Sequence, residues 1–159
     1  MTSKEIIKRV IDRNNPPRIG LDLRTFNDIV YDQPVRLVYP YKLIMHSCGY
    51  IDAIVEDLIE IGLDVLQFDQ PERYGSANLA RKYGDRAAFY CPVDIQRVMA
   101  TGDRKLIEQT AADMAAAFKK TGGGLIAMDY GAWADIGVED EWAQWARDVF
   151  ISQADILKI

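Results

Sequence analysis

The residues with the most chemistry per unit length are Met45-His46-Ser47-Cys48-Gly49, where the only histidine of this 159-residue chain stands two places from one of its two cysteines. An apolar run, Leu43-Ile44-Met45, leads directly into them. On an extended backbone, residues i and i+2 point to the same side. An imidazole nitrogen and a thiolate sulfur therefore converge, and mixed nitrogen and sulfur ligation suits zinc, with bonds of about 2.0–2.3 Å. Two ligands do not complete a site. Cys91 follows a later strand and Asp69 ends the strand between, so both compete for the third position. His46, Cys48 and Cys91, or His46, Cys48 and Asp69, with a fourth position open, form a catalytic zinc pattern, and a thiolate-rich set favours activation of a bound thiol. An isolated His-x-Cys also fits a hydrogen-bonded core histidine beside small buried cysteines.

Other polar groups fall at strand ends. Asp69, Asp94 and Asp129 each end or follow an apolar run, which gives either a carboxylate cluster at one rim or, the more frequent outcome, a set of solvated loop-starting and helix-capping carboxylates. Asp94 and Asp129 are the candidates for holding substrate. Tyr90 joins them, because Tyr39, Tyr41, Tyr90 and Tyr130 flank strands and either line a pocket or pack. Gly122-Gly123-Gly124 follows a helical pattern rather than a strand, the wrong context for a phosphate loop and the right one for a helix stop.

The elements that must carry these groups alternate in type. Residues 3–13 read as a short amphipathic helix stopped by Asn14-Asn15-Pro16-Pro17, and residues 18–23 as a strand. Residues 35–39 and 43–45 flank Pro40, which makes the region an edge strand or a loop entering a strand at Tyr41, with the second half, ending at His46, the better strand. Ile51, Ile54, Val55, Leu58 and Ile59 give a helix of about three turns with Gly62 just beyond its end. A strand follows at 63–68, a short helix at 78–83 and a strand at 87–90. Asp103 caps a helix that runs to the triple glycine, a strand occupies 125–128, and a last helix covers 139–157. Strands separated by helical segments imply parallel pairing through right-handed crossovers, hence an α/β fold with about five strands.

Composition sets the outer limits. With 19 basic and 24 acidic side chains the net charge is −5, and 49% of residues are apolar. A core is within reach, and no basic cluster offers the counterion release that drives nucleic-acid binding. The start alternates charge with apolar residues, and no apolar run approaches the ~20 residues of a membrane span. A soluble, cytoplasmic protein with neither nucleic-acid nor membrane partner is expected. Two cysteines make no disulfide scaffold in a reducing compartment.

His46-Ser47-Cys48-Gly49 with Ile51-Asp52, Asp57-Leu58-Ile59-Glu60-Ile61-Gly62-Leu63-Asp64, Tyr83-Gly84-Asp85, Pro92-Val93-Asp94-Ile95-Gln96 and Gly122-Gly123-Gly124-Leu125-Ile126 together resemble, in order and spacing, the uroporphyrinogen decarboxylase superfamily. That superfamily also contains the cobalamin-dependent corrinoid-protein:thiol methyltransferases. The likeness covers residues 42–130, and the opening Ser3-Lys4-Glu5 with Pro16-Pro17-Arg18 is similar to the family's start. It implies a TIM-barrel fold with its site at the C-terminal rim and, in the methyltransferase branch, a zinc held partly by the pair that His46 and Cys48 match. That branch's further thiolate lies near the strand matching 125–128, where this chain has none, so Cys91 would substitute, with Asp69 competing. The family's barrel is roughly twice this chain. The expectation is therefore a single domain, 1–159, shortened in the middle, forming a partial (β/α) TIM-barrel-like unit. The activity implied is methyl transfer from a corrinoid, carried on a partner protein, to a small-molecule thiol. One alternative is a metal-free tetrapyrrole carboxy-lyase, although Arg18 and Arg24 do not reproduce the decarboxylase branch's arginine motif. Another is a non-catalytic half-barrel that forms a homo-oligomer or docks on a full-length relative.

Overall fold

A computed structural model of the chain describes residues 9, 11, 12, 20–22 and 42–154. The helix expected over 3–13 is described only at Arg9, Ile11 and Asp12, and the expectations for 35–39, Tyr41, Arg18, Arg24 and 155–157 lie outside the described residues. Four parallel strands form the body of the sheet: β2 (Ile44–Ser47), β3 (Val65–Phe68), β4 (Ala88–Cys91) and β5 (Leu125–Met128). They lie side by side in chain order, and a three-residue strand, β1 (Gly20–Asp22), pairs in parallel with the far edge of β5. Between them run α1 (Asp52–Glu60), α2 (Ser76–Tyr83) and α3 (Arg104–Lys120), with α4 (Asp140–Gln153) after β5. This is an α/β architecture with a parallel sheet, as the alternating pattern implies. No described helix is long and apolar enough to cross a membrane.

Because every crossover from β2 to β5 steps in the same direction, the right-handed rule sends the intervening helices to one face. The packing follows. Leu66 and Phe68, Phe89 and Cys91, and Leu125 and Ala127 share one large core with Val55, Leu79, Ile107, Met114, Phe118 and Phe150 from the helices. The opposite strand positions, Val65, Ala88 and Ile126, form a smaller cluster with Ile11, against which Tyr90 packs. The sheet thus has a thick helical face and a thin inner face, and strand alternation assigns each side chain to one of them.

Local sequence explains the element ends. Asp103 caps α3 by accepting from the Leu106 N–H at 3.1 Å. Past α1 the chain reverses at Gly62, φ 98°, with the Leu63 N–H returning to the Leu58 carbonyl, a left-handed stop that a Cβ would strain. Gly102 serves closeness as well as conformation: at φ 62°, a Cβ there would lie 2.7 Å from the Trp142 indole.

Asp94 has a structural task in place of the substrate contact expected for it. Its side chain is wholly buried and accepts from the backbone N–H groups of Glu72, Gln96 and Arg97, at 3.2, 2.9 and 2.7 Å. It ties the loop after β3 to the loop after β4 and leaves no face for a ligand. Leaving a buried donor without an acceptor costs about 1–3 kcal/mol. Asp94→Ala is therefore expected to lower unfolding stability by about 3 kcal/mol, read as a shift of the urea midpoint. An unchanged midpoint would contradict this role.

Candidate metal centre

β2 and β3 pair so that His46 stands opposite Gln67, and Gln67 in turn stands opposite Tyr90 on β4. All three belong to the inner face. Two residues further along, on the same side, come Cys48 just past β2 and Asp69 just past β3. A single layer of the sheet thus supplies the imidazole, and the next layer supplies the thiol and the carboxylate.

His46 Nε2 lies 3.0 Å from Cys48 Sγ, which lies 3.7 Å from Asp69 Oδ2. Ligand atoms of all three residues fall within 4.8 Å of one another. A tetrahedral zinc with bonds of about 2.0–2.3 Å holds such nitrogen and sulfur atoms about 3.5 Å apart, so the set needs only small adjustments to enclose the ion. The donors are one imidazole, one thiol and one carboxylate, all accepted by zinc, and as thiolate, carboxylate and neutral imidazole they would balance the ion's two positive charges. Asp69 is only 6% exposed, and among the described residues no basic side chain pairs with it. Its side-chain hydrogen bonds come from Gln67 Nε2 and the Cys48 thiol.

The loop carrying Cys48 is held from behind. Tyr74 Oη donates to the Gly49 carbonyl at 2.7 Å and accepts from the Ile51 N–H at 2.9 Å. Its ring stacks on Phe68, with centroids 4.6 Å apart. On the sheet side, Gln67 touches both flanking ligands: its Oε1 is in hydrogen-bond contact with His46 Nδ1, and its Nε2 donates to Asp69 Oδ1 at 2.6 Å. Tyr130 belongs to the same neighbourhood. Burial first, then the Asp69 and Cys48 charges, push its hydroxyl upward.

Cys91 corrects the expected ligand set. It ends β4 at the same rim, but its side chain shares a face with Phe89, opposite to that of Tyr90 and His46. It is 1% exposed, inside the main core. Burial pushes its thiol up to about 12. The structure brings together His46, Cys48 and Asp69, and leaves Cys91 behind the sheet. Asp129, expected to hold substrate, is also turned to the helical side. Its Oδ2 accepts from Arg147 Nε and Nη2 at 3.0 and 2.9 Å, and its Oδ1 from the Trp133 indole N–H, so it fastens α4 to the end of β5. Tyr90 alone of the expected substrate-side residues stands on the inner face, half-buried.

Gln67 and Tyr74 escaped the sequence reading. Gln67 had a signal: it is a polar residue inside the apolar run Val65–Phe68 and two places before Asp69. Tyr74 had none, since only the fold brings it under Gly49.

Compared with protein-family models, with curated proteins and with solved structures, the chain matches none of them significantly.

The two cysteines should differ sharply in reactivity. Burial, then the neighbouring Asp69 carboxylate, raises the Cys48 thiol, so thiolate is scarce at neutral pH and its alkylation rate should still be climbing above the ordinary thiol range. A chromogenic disulfide reagent at pH 8 should titrate one thiol in the native protein and two after denaturation. Two native thiols reacting at equal rates would contradict the burial of Cys91.

Proposed function

We propose that this chain is a zinc-dependent, thiol-activating protein akin to the methyltransferase branch of the uroporphyrinogen decarboxylase superfamily, with His46, Cys48 and Asp69 as the ligands. The observation carrying this reading is the inner-face cluster itself: an imidazole, a thiol and a buried carboxylate with no basic partner among the described residues, at the C-terminal rim of a parallel sheet. The reaction class is transfer of a methyl group from a corrinoid to a small-molecule thiol, with loss of the thiol's proton. The corrinoid donor and its carrier protein enter from the sequence resemblance. So does the barrel: strands in unbroken order, with β1 added beyond β5, agree with a (β/α) barrel lacking part of its middle.

Zinc bound here would supply the positive charge that makes a thiol at the open position a thiolate at neutral pH. The chain's own residues do the rest. Asp69 and Cys48, deprotonated, would contribute two negative charges and a neutral His46 none, so a bound divalent cation would be balanced by its ligands. Tyr74 keeps the Cys48 loop from moving away. Tyr130, whose hydroxyl stays protonated well above neutral pH, can donate a hydrogen bond on the side of Asp69 and Cys48. A carboxylate in place of a second thiolate leaves the ligand charge unchanged but would donate less electron density to the metal, which favours deprotonation of an incoming thiol.

Purified protein exposed to zinc and then desalted should retain about one ion per chain. Cys48→Ser and Asp69→Ala should each lose it, whereas Cys91→Ser should keep it. Demethylation of methylcobalamin by added thiol should follow the bound zinc. Metal retained in Cys48→Ser, or none in the wild type, would overturn the reading.

A second, non-catalytic reading has one observation in its favour. β2 ends the sheet among the described residues, and Leu43 and Ile44 there are 55% and 59% exposed. Edge strands invite pairing with another chain, and a second copy of this half-barrel is the partner that reading requires. Light scattering should then give a dimer that Ile44→Lys dissociates. A wild-type monomer across the micromolar range would remove it.

A further inference from the structure

Gln67 is 8% exposed and stands between His46 and Asp69, touching both. Its amide has one acceptor end and one donor end, so its orientation determines what each neighbour must present. The Gln67 NH₂ group faces Asp69, with Nε2 to Oδ1 at 2.6 Å, and the same nitrogen lies 3.4 Å from Met128 Sδ. That leaves Oε1 facing the histidine, and an amide oxygen can only accept. Nδ1 of His46 then carries a proton, which in the neutral ring leaves Nε2 as a bare lone pair directed at Cys48 Sγ, 3.0 Å away.

We infer that Gln67 is the positioning residue of this centre, locking the neutral His46 ring in its Nδ1–H form and reserving Asp69 Oδ2 for the metal. Asp69 Oδ1 is occupied by the amide, while Oδ2 faces Cys48 Sγ. One side chain thereby selects both the imidazole nitrogen and the carboxylate oxygen that point inward. Groups hydrogen-bonded to metal ligands fix ligand tautomer and orientation in this way, and removing them typically costs 10–100-fold in metal affinity. Here one amide does so for two ligands from two strands. It can, because the β2–β3 register sets it directly beside His46 and strand alternation sets it under Asp69. The effect on metal binding rests on the zinc reading; the tautomer does not.

His46 is the chain's only histidine, so its ring nitrogens give unambiguous signals in a long-range proton–nitrogen correlation spectrum. The measurement uses full-length, ¹⁵N-labelled, metal-free protein at about pH 8, above the ordinary histidine range. The wild type should show Nδ1–H, against the preference of a free imidazole for Nε2–H. Gln67→Leu should revert to Nε2–H or a mixture. Gln67→Glu, whose carboxylate still accepts from Nδ1–H but no longer donates to Asp69, should keep the wild-type tautomer. In a chelator competition, Gln67→Leu should bind zinc 10–100-fold more weakly than the wild type, with Gln67→Glu between them. If Gln67→Leu does not fold, Gln67→Met replaces it. An Nε2–H ring in the wild type, or an unchanged tautomer in Gln67→Leu and Gln67→Met, would overturn the inference. Correct tautomers without zinc binding in the wild type would overturn the zinc reading alone.

Discussion

The pairing register between β2 and β3 is what the candidate centre depends on most. A slip of one residue would carry His46 away from Gln67 and set it against a neighbour on the opposite face. The register is fixed at the strand starts: the Asp64 and Val65 N–H groups both reach the Leu43 carbonyl, at 3.1 and 3.0 Å, and Asp64 accepts from the Leu43 N–H and from Lys42 Nζ. Three residues downstream, that anchoring decides where the imidazole falls. The fully buried β3 makes slippage costly, since each of its four side chains would exchange one packed environment for another.

With the register set, the inner face carries an unusual load. Gln67 and Asp69 are polar groups in a nearly dry layer beside Val65, Ala88 and Ile126, and burial of that kind is tolerated only when the groups satisfy one another. The amide meets the carboxylate at one oxygen and the imidazole at one nitrogen. The remaining polar atoms, Nε2, Sγ and Oδ2, all face a common point and offer no positive charge among the neutral forms. Asp69 is buried while His46 and Cys48 are exposed, so the cluster opens to solvent, and a divalent cation standing there would offset the carboxylate's charge. The helical face carries none of this. Asp94 and Asp129 are fully engaged in holding loops and α4, so they brace the fold while the candidate ligands stand on the inner face.

Much of this was legible in residue order. The His-x-Cys pair declared itself because both types are rare here and because extended spacing puts them on one side. α3 announced its ends through Asp103 and the triple glycine. The third ligand did not resolve, and the reason is physical. β4 is apolar on both faces, Ala88 and Tyr90 inward and Phe89 and Cys91 outward, so its sequence holds no alternation from which to read the parity of Cys91. Being at the correct end of a strand says nothing about which face a side chain takes. Asp94 and Asp129 misled for the same reason that capping carboxylates often do: they occur at strand ends whether they bind ligands or backbone. Gln67 shows the reverse case, since a lone amide within Val65–Phe68 had to be either a defect or a device.

The central claim is a zinc centre with a single sulfur ligand. Zinc K-edge X-ray absorption on the zinc-loaded protein tests it most directly, because sulfur and lighter scatterers separate by distance in the first shell. The account predicts one sulfur at about 2.3 Å, together with nitrogen and oxygen neighbours at about 2.0–2.2 Å. A shell with two sulfurs would return Cys91 to the site, and a shell with none would remove Cys48; either result contradicts the account.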